Sequence, residues 1–138
     1  LEEGPAVGPI LLINNAGFGN YGEFHLSNAA TQREIIEVNL NAIIDLTSGL
    51  MPILLQRGGT VMNVASVTAF QPTPYIATYG ATKAFLLQWG YALRHELRET
   101  SHVVTGWSNK FMTKLATILP WGLVTRMSGQ VLSHLRRQ

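Results

Sequence analysis

Three side chains within eighteen residues could carry chemistry together: Ser66, Tyr79 and Lys83, in the stretch SVTAFQPTPYIATYGATK. Tyr79 and Lys83 stand four apart, and on a helix that spacing stacks phenol and ammonium on one face. A phenol has a reference pKa near 10 and is a poor base at neutral pH. An ammonium about 4 Å away, at an effective dielectric near 20, favours the phenolate by roughly 4 kcal/mol, or roughly three pK units. Such a tyrosine works as acid or base near neutrality. With the Ser66 hydroxyl beside it, the expected chemistry is proton transfer to or from a carbonyl oxygen. A Tyr/Lys pair on its own is weak evidence, so the elements that position it matter.

Ser66 follows Thr60 to Ala65, an apolar, β-rich run that reads as a buried strand ending at the hydroxyl. Tyr79 and Lys83 lie on a helix predicted from about Ile76 to Glu99, after the Pro72 and Pro74 loop. Upstream, Pro9 to Asn14 is a short continuous apolar run, the pattern of a strand buried on both faces in a parallel sheet. It ends in Asn14-Asn15-Ala16-Gly17, where small residues let the backbone approach a ligand closely, although an ordinary turn has the same composition.

Between the two strands, residues 28 to 57 read as a helix with a polar stripe of Glu34, Glu37, Asn41, Asp45 and Ser48. Nearly everything else is apolar, so the helix is expected to be buried around most of its circumference. Asn39 is rotated about 200° from Glu37, onto the buried side. A buried amide needs partners; it either ties down a backbone kink or holds a water or a lysine inside a site. Strand, helix, strand implies a βαβ unit with a right-handed crossover. In such sheets ligands sit beyond the carboxyl ends of the strands, where both the NNAG turn and Ser66 fall.

The chain has 138 residues, 46% hydrophobic and 13% charged, which suits one globular domain with a generous core. No apolar run of eighteen residues is free of polar interruption and the first residues are acidic, so neither a membrane span nor a signal peptide is expected, and the default compartment is the cytoplasm. The absence of cysteine excludes disulfides and cysteine nucleophiles. None of the four histidines has a Cys, Asp or Glu at metal-ligand spacing, so no metal is expected. After Glu99 there are five basic residues and no acidic one. Spread over that length they read as a solvated helix face rather than a nucleic-acid site. HVVT at 102 to 105 suggests a brief strand, and residues 110 to 119 and 122 to 137 two short helices packed on the body or a partner rather than on a membrane. The uncharged stretch Ala84 to Leu93 points to a second subunit against helices 28 to 57 and 76 to 99, which makes a homo-oligomer the expectation.

Taken together, Asn14-Asn15-Ala16-Gly17, Asn39 in EVNLNA, Ser66 in NVAS and Tyr79-Gly80-Ala81-Thr82-Lys83 resemble the short-chain dehydrogenase/reductase family. The intervals from Asn15 to Asn39, Ser66, Tyr79 and Lys83 are 24, 27, 13 and 4 residues, and match the family's order. The resemblance covers residues 9 to about 99. It implies an α/β fold, a partial Rossmann-type doubly wound parallel sheet in three αβα layers. It also implies NAD or NADP as cofactor and hydride transfer between nicotinamide and a small carbonyl or alcohol.

By the same resemblance Tyr79 is the acid/base and Ser66 orients the substrate oxygen. Lys83 assists the tyrosine and contacts the nicotinamide ribose, Asn39 holds a water linking Lys83 to solvent, and Asn15, Ala16 and Gly17 line the cofactor cleft. The expectation is a single incomplete domain: residues 9 to 99 as the catalytic half and 103 to 138 as a C-terminal helical tail. The family's Gly-rich TGxxxGxG turn is absent, as is the region that selects NAD or NADP. Ile10 stands where an acidic residue is usual, and a segment is missing near residues 100 to 103. The alternative is an inactive member of the family serving as a helix-mediated oligomerisation module. Ala69, Phe70, Gln71 and Pro72 suggest an apolar wall for the substrate.

Overall fold

In the computed structural model, residues 8–97 and the helical residues 125–126 are described. The expected strand at 102 to 105 and the helices at 110 to 119 and 122 to 137 lie outside them, apart from that helical pair.

Two short strands, β1 (Leu11–Asn14) and β2 (Thr60–Asn63), pair in parallel, with Leu11 opposite Thr60 and Asn14 opposite Asn63. Parallel neighbours need a long crossover. Here it is a continuous helical run: α1 (Ala29–Ile36), a π-helical turn (Glu37–Asn41) and α2 (Ala42–Arg57). Asn28 caps its start, its side-chain oxygen accepting from the Ala30 amide at 2.8 Å. Gly58, with φ of +64°, ends it in the left-handed conformation usual at helix C-termini. A 3-10 turn at Val67–Phe70 then leads to α3 (Ala77–Glu96). The expected βαβ unit and both long helices are therefore present. The strands are shorter than expected, β1 beginning at Leu11 rather than Pro9 and β2 ending at Asn63 rather than Ala65.

The core is a narrow seam. Ile35, Ile43, Leu54, Val61, Leu86 and Leu87 are its buried apolar residues. On the crossover helix the buried positions are Ile35, Asn39, Ile43, Thr47 and Leu54, spaced to fall on one stripe. The polar stripe from Glu34 to Ser48 faces solvent as expected.

Two expectations about burial fail for the same reason. β1 is covered on one face only: Leu11 and Ile13 are 53% and 52% exposed, whereas Asn14 is 5% exposed. The crossover helix is not buried around most of its circumference, since Leu46 and Leu50 are exposed. An apolar side chain is removed from water only where another element packs on it, and among the described residues nothing packs on either surface. By length and composition Ala29–Arg57 is also apolar enough to cross a bilayer. Its buried stripe packs against protein and carries Asn39 and Thr47 into the polar network described below.

Candidate active site

β1, β2, the π-turn and the first turns of α3 bring the sequence-selected residues to one edge of the sheet. At the end of β1, Asn14 and Asn15 part company. Asn14 points inward, and its Nδ2 donates to Asn63 Oδ1 at 2.8 Å and to Thr47 Oγ1 at 3.1 Å. Asn15, Ala16 and Gly17 are exposed. The first asparagine of NNAG thus ties the two strands to α2, and the other three residues face solvent.

Asn39 is fully buried in the π-turn. Its Oδ1 accepts from the Phe18 amide at 3.0 Å, and its Nδ2 donates to Phe18 O at 2.9 Å and Thr82 Oγ1 at 3.1 Å. The hydroxyl of Thr82 in turn donates to Tyr79 O at 2.7 Å. Of the two roles open for Asn39, the backbone irregularity is therefore present. A π-bulge places one extra residue in the turn, which re-aims the side chain at that point. The amide is spent on the loop after NNAG and on α3 rather than on Lys83.

Lys83 is 4% exposed. Its ammonium donates to Val64 O at 3.0 Å and lies 5.7 Å from the centre of the Tyr79 ring, within cation–π range. Burial pushes Lys83 below its ordinary value of 10.5, because desolvation penalises the charged form. The placement that brings the ammonium to Tyr79 thus also weakens its hold on its proton.

Ser66 caps the 3-10 turn, its Oγ accepting from the Thr68 amide at 3.3 Å. It stands three residues beyond the last residue of β2, in the segment whose Val64 amide still bonds to Asn14 O at 3.0 Å. Lys83 therefore reaches the backbone two residues before Ser66, which links α3 to the serine segment. On the other side, a Cβ added at Gly17 would lie 3.0 Å from Asn39 Oδ1 and 3.5 Å from Lys83 Nζ. The NNAG turn, Asn39 and Lys83 consequently share one small volume.

Sequence reasoning passed over Thr47 and Asn63 and gave Asn14 and Thr82 no role beyond their place in the motifs, although all four are buried. A polar residue in an otherwise apolar strand or helix face was the available signal for each. The apolar wall expected at Ala69 to Pro72 is present, but it lines a space apart from the three chemical side chains. Those four residues line a cavity of about 640 Å³ that α3 completes with Ala77, Gly80, Ala81 and Ala84 among others, and Ser66, Tyr79 and Lys83 are not part of its lining. Among the described residues no cluster of metal-ligating side chains occurs.

Residues 7–114 match the model of the short chain dehydrogenase family. The chain belongs to that family. Among its curated relatives, the ketoacyl reductase HetN of Nostoc sp. strain PCC 7120 is 40% identical over 93 residues, covering 66% of this chain and 32% of the relative. The 11-beta-hydroxysteroid dehydrogenase type 2 of Bos taurus is 30% identical over 151 residues, covering 97% and 37%.

Two solved structures superpose on about two thirds of this chain. A 3-ketoacyl-(acyl-carrier-protein) reductase from Brucella melitensis, complexed with NADH, has a TM-score of 0.64 at 31% identity, over 69% of this chain and 42% of that one. The bulky-bulky ketone specific alcohol dehydrogenase of Comamonas testosteroni has 0.64 at 35% identity, over 69% and 40%. The fold is thus a partial Rossmann-type αβα sheet, and this short-chain dehydrogenase spans about a third of the length of the curated relatives it matches.

Proposed function

We propose that the chain carries the proton-transfer site of a nicotinamide-dependent oxidoreductase that interconverts a carbonyl and an alcohol. The observation behind the reading is the bond from buried Lys83 to Val64 O, which holds the Tyr79 helix against the segment ending in Ser66. Tyr79 is the acid/base, passing a proton between its phenol oxygen and the substrate oxygen. Ser66 orients that oxygen by a hydrogen bond. Lys83 sets a positive charge beside the phenol, and Asn39 fixes the floor of the site through Phe18 and Thr82.

The residues present fit the nicotinamide end of NAD or NADP. Asn15, Ala16 and Gly17 are exposed at the strand end, and a side chain at Gly17 would fill the space beside the Lys83 ammonium. Lys83 has donors beyond the one on Val64 O to offer a ribose hydroxyl, and the NNAG turn lines the cleft. When bound, the cofactor accepts or supplies the hydride. The TGxxxGxG turn that holds the diphosphate in the family does not occur in this sequence.

The test is a titration of NADH and NADPH into the chain, followed by nicotinamide fluorescence. Saturable binding that Lys83→Ala abolishes is the expected result, and a flat titration removes the cofactor from the proposal. A cytoplasmic location belongs to the same reading and is checked by fractionation.

The bare apolar surface of α2 and α3 favours a second element of the reading, a homo-oligomer. Leu46 and Leu50 on α2 and Phe85 and Tyr91 on α3 are exposed, and Phe85 stacks on Trp89 with ring centres 6.3 Å apart. If cofactor binding fails while the chain self-associates, the inactive oligomerisation module is the better description. Sedimentation at micromolar concentration decides, and a clean monomer counts against both forms of association.

A further inference from the structure

Tyr75 has a backbone φ of +69°, which a bulky L-residue adopts only when its surroundings hold it there. The holding contacts come from the segment after the NNAG turn. The Gly22 amide donates to Tyr75 O at 2.8 Å, and the rings of Tyr21 and Tyr75 lie with centres 5.8 Å apart. Three residues before Gly22, Gly19 sits so close to Tyr79 that an added Cβ would be 3.0 Å from its Cβ and ring. One residue earlier still, Phe18 is bonded at both its amide and its carbonyl to Asn39. Residues 18 to 22 therefore form a strap fixed at Phe18, lying against Tyr79 at Gly19, and fastened at Gly22.

We propose that Tyr75 is a positioning residue for Tyr79. Its left-handed backbone turns the carbonyl onto Gly22, and that fastening presses the strap against the phenol ring and fixes where the ring points. A residue with ordinary negative φ at 75 would aim the carbonyl elsewhere, removing the fastening at Gly22 and loosening the strap where it lies against the Tyr79 ring. The inference rests on the reading of Tyr79 as the acid/base for its significance, but not for its test.

The test compares Tyr75→Gly with Tyr75→Ala in the full chain labelled with 13C at the tyrosine ring. Both variants lack the ring and differ in their tolerance of positive φ. In Tyr75→Gly the Gly22 amide keeps its hydrogen-exchange protection, and the Tyr79 ring resonance stays near its wild-type position. In Tyr75→Ala protection at Gly22 falls at least about fivefold and the Tyr79 resonance moves. The Val64 amide, bonded to Asn14 O, reports that the fold is kept in both. Equal protection at Gly22 in the two variants overturns the proposal, and so does a loss at Gly22 that leaves the Tyr79 resonance unmoved. Neither readout needs cofactor or turnover, so a chain that fails to bind NADH still tests the role of Tyr75.

Discussion

Asn14 and Asn63 face each other across the parallel strand pair, and the Asn14 amide donates to Asn63 Oδ1 at 2.8 Å. Its other bond, to Thr47 Oγ1, makes it the point where both strands and α2 are joined. Asn63 Nδ2 is buried without a hydrogen-bond partner, so the cluster already carries one unmet donor. Asn14→Ala strands Asn63 Oδ1 as well, and removing one partner of a buried bond costs about 1–3 kcal/mol. Urea unfolding should show a lower midpoint with an unchanged slope.

Asn39→Ala removes three hydrogen bonds at a fully buried position and leaves the Phe18 amide and Thr82 hydroxyl to find others. A loss of about 2–4 kcal/mol is expected from the unmet polar groups and the cavity together. Exchange at the Phe18 amide should rise more than exchange at Val64, because the damage is centred on the strap. Equal increases at both would indicate global unfolding instead.

The pH dependence follows from Lys83. Its folded value lies below 10.5 because of burial, so between that lowered value and about 10.5 the unfolded chain binds more protons than the folded one. Stability therefore rises with pH through that window and carries its full penalty below it. Lys83→Met keeps the volume and removes the charge, so the alkaline increment should vanish from denaturant midpoints measured between about pH 7 and 11. Persistence of the same slope in the variant would assign it to other groups.

A side chain at Gly80 would collide with Thr73 Oγ1. Alanine is the better helix former by about 1 kcal/mol, yet Gly80→Ala should destabilise, because buried Thr73 has to move. In the double variant with Thr73→Ala the offending oxygen is gone, leaving the position of the Thr73 Cβ at 3.3 Å. Thermal melts should then recover most or all of the loss, a coupling that independent sites do not show.

Much of the site was legible because its residues carry side chains that are out of place in their local pattern. Asn39 stood out as polar on an apolar helix face, and the four-residue step from Tyr79 to Lys83 follows from helix periodicity. The two strands and both long helices were equally visible as apolar runs bounded by Gly, Pro and Asn. The π-turn at Glu37–Asn41 was not, since one extra residue in a turn leaves the composition unchanged. Nor was the assignment of Asn14 inward and Asn15 outward, which depends on where β1 stops.

By itself, the sequence determined which side chains are available, their order, and that strand ends and a helix start deliver them to one sheet edge. Local spacing and backbone preference are sufficient for that. Tertiary structure alone decided that Lys83 bonds to Val64 O, that Asn39 is spent on Phe18 and Thr82, that Tyr75 holds a positive φ, and that one face of β1 stays in water. Each of these depends on groups far apart in the chain, or on no layer packing over β1 among the described residues. Contacts of that kind are set by how elements stack, which no window of neighbouring residues records.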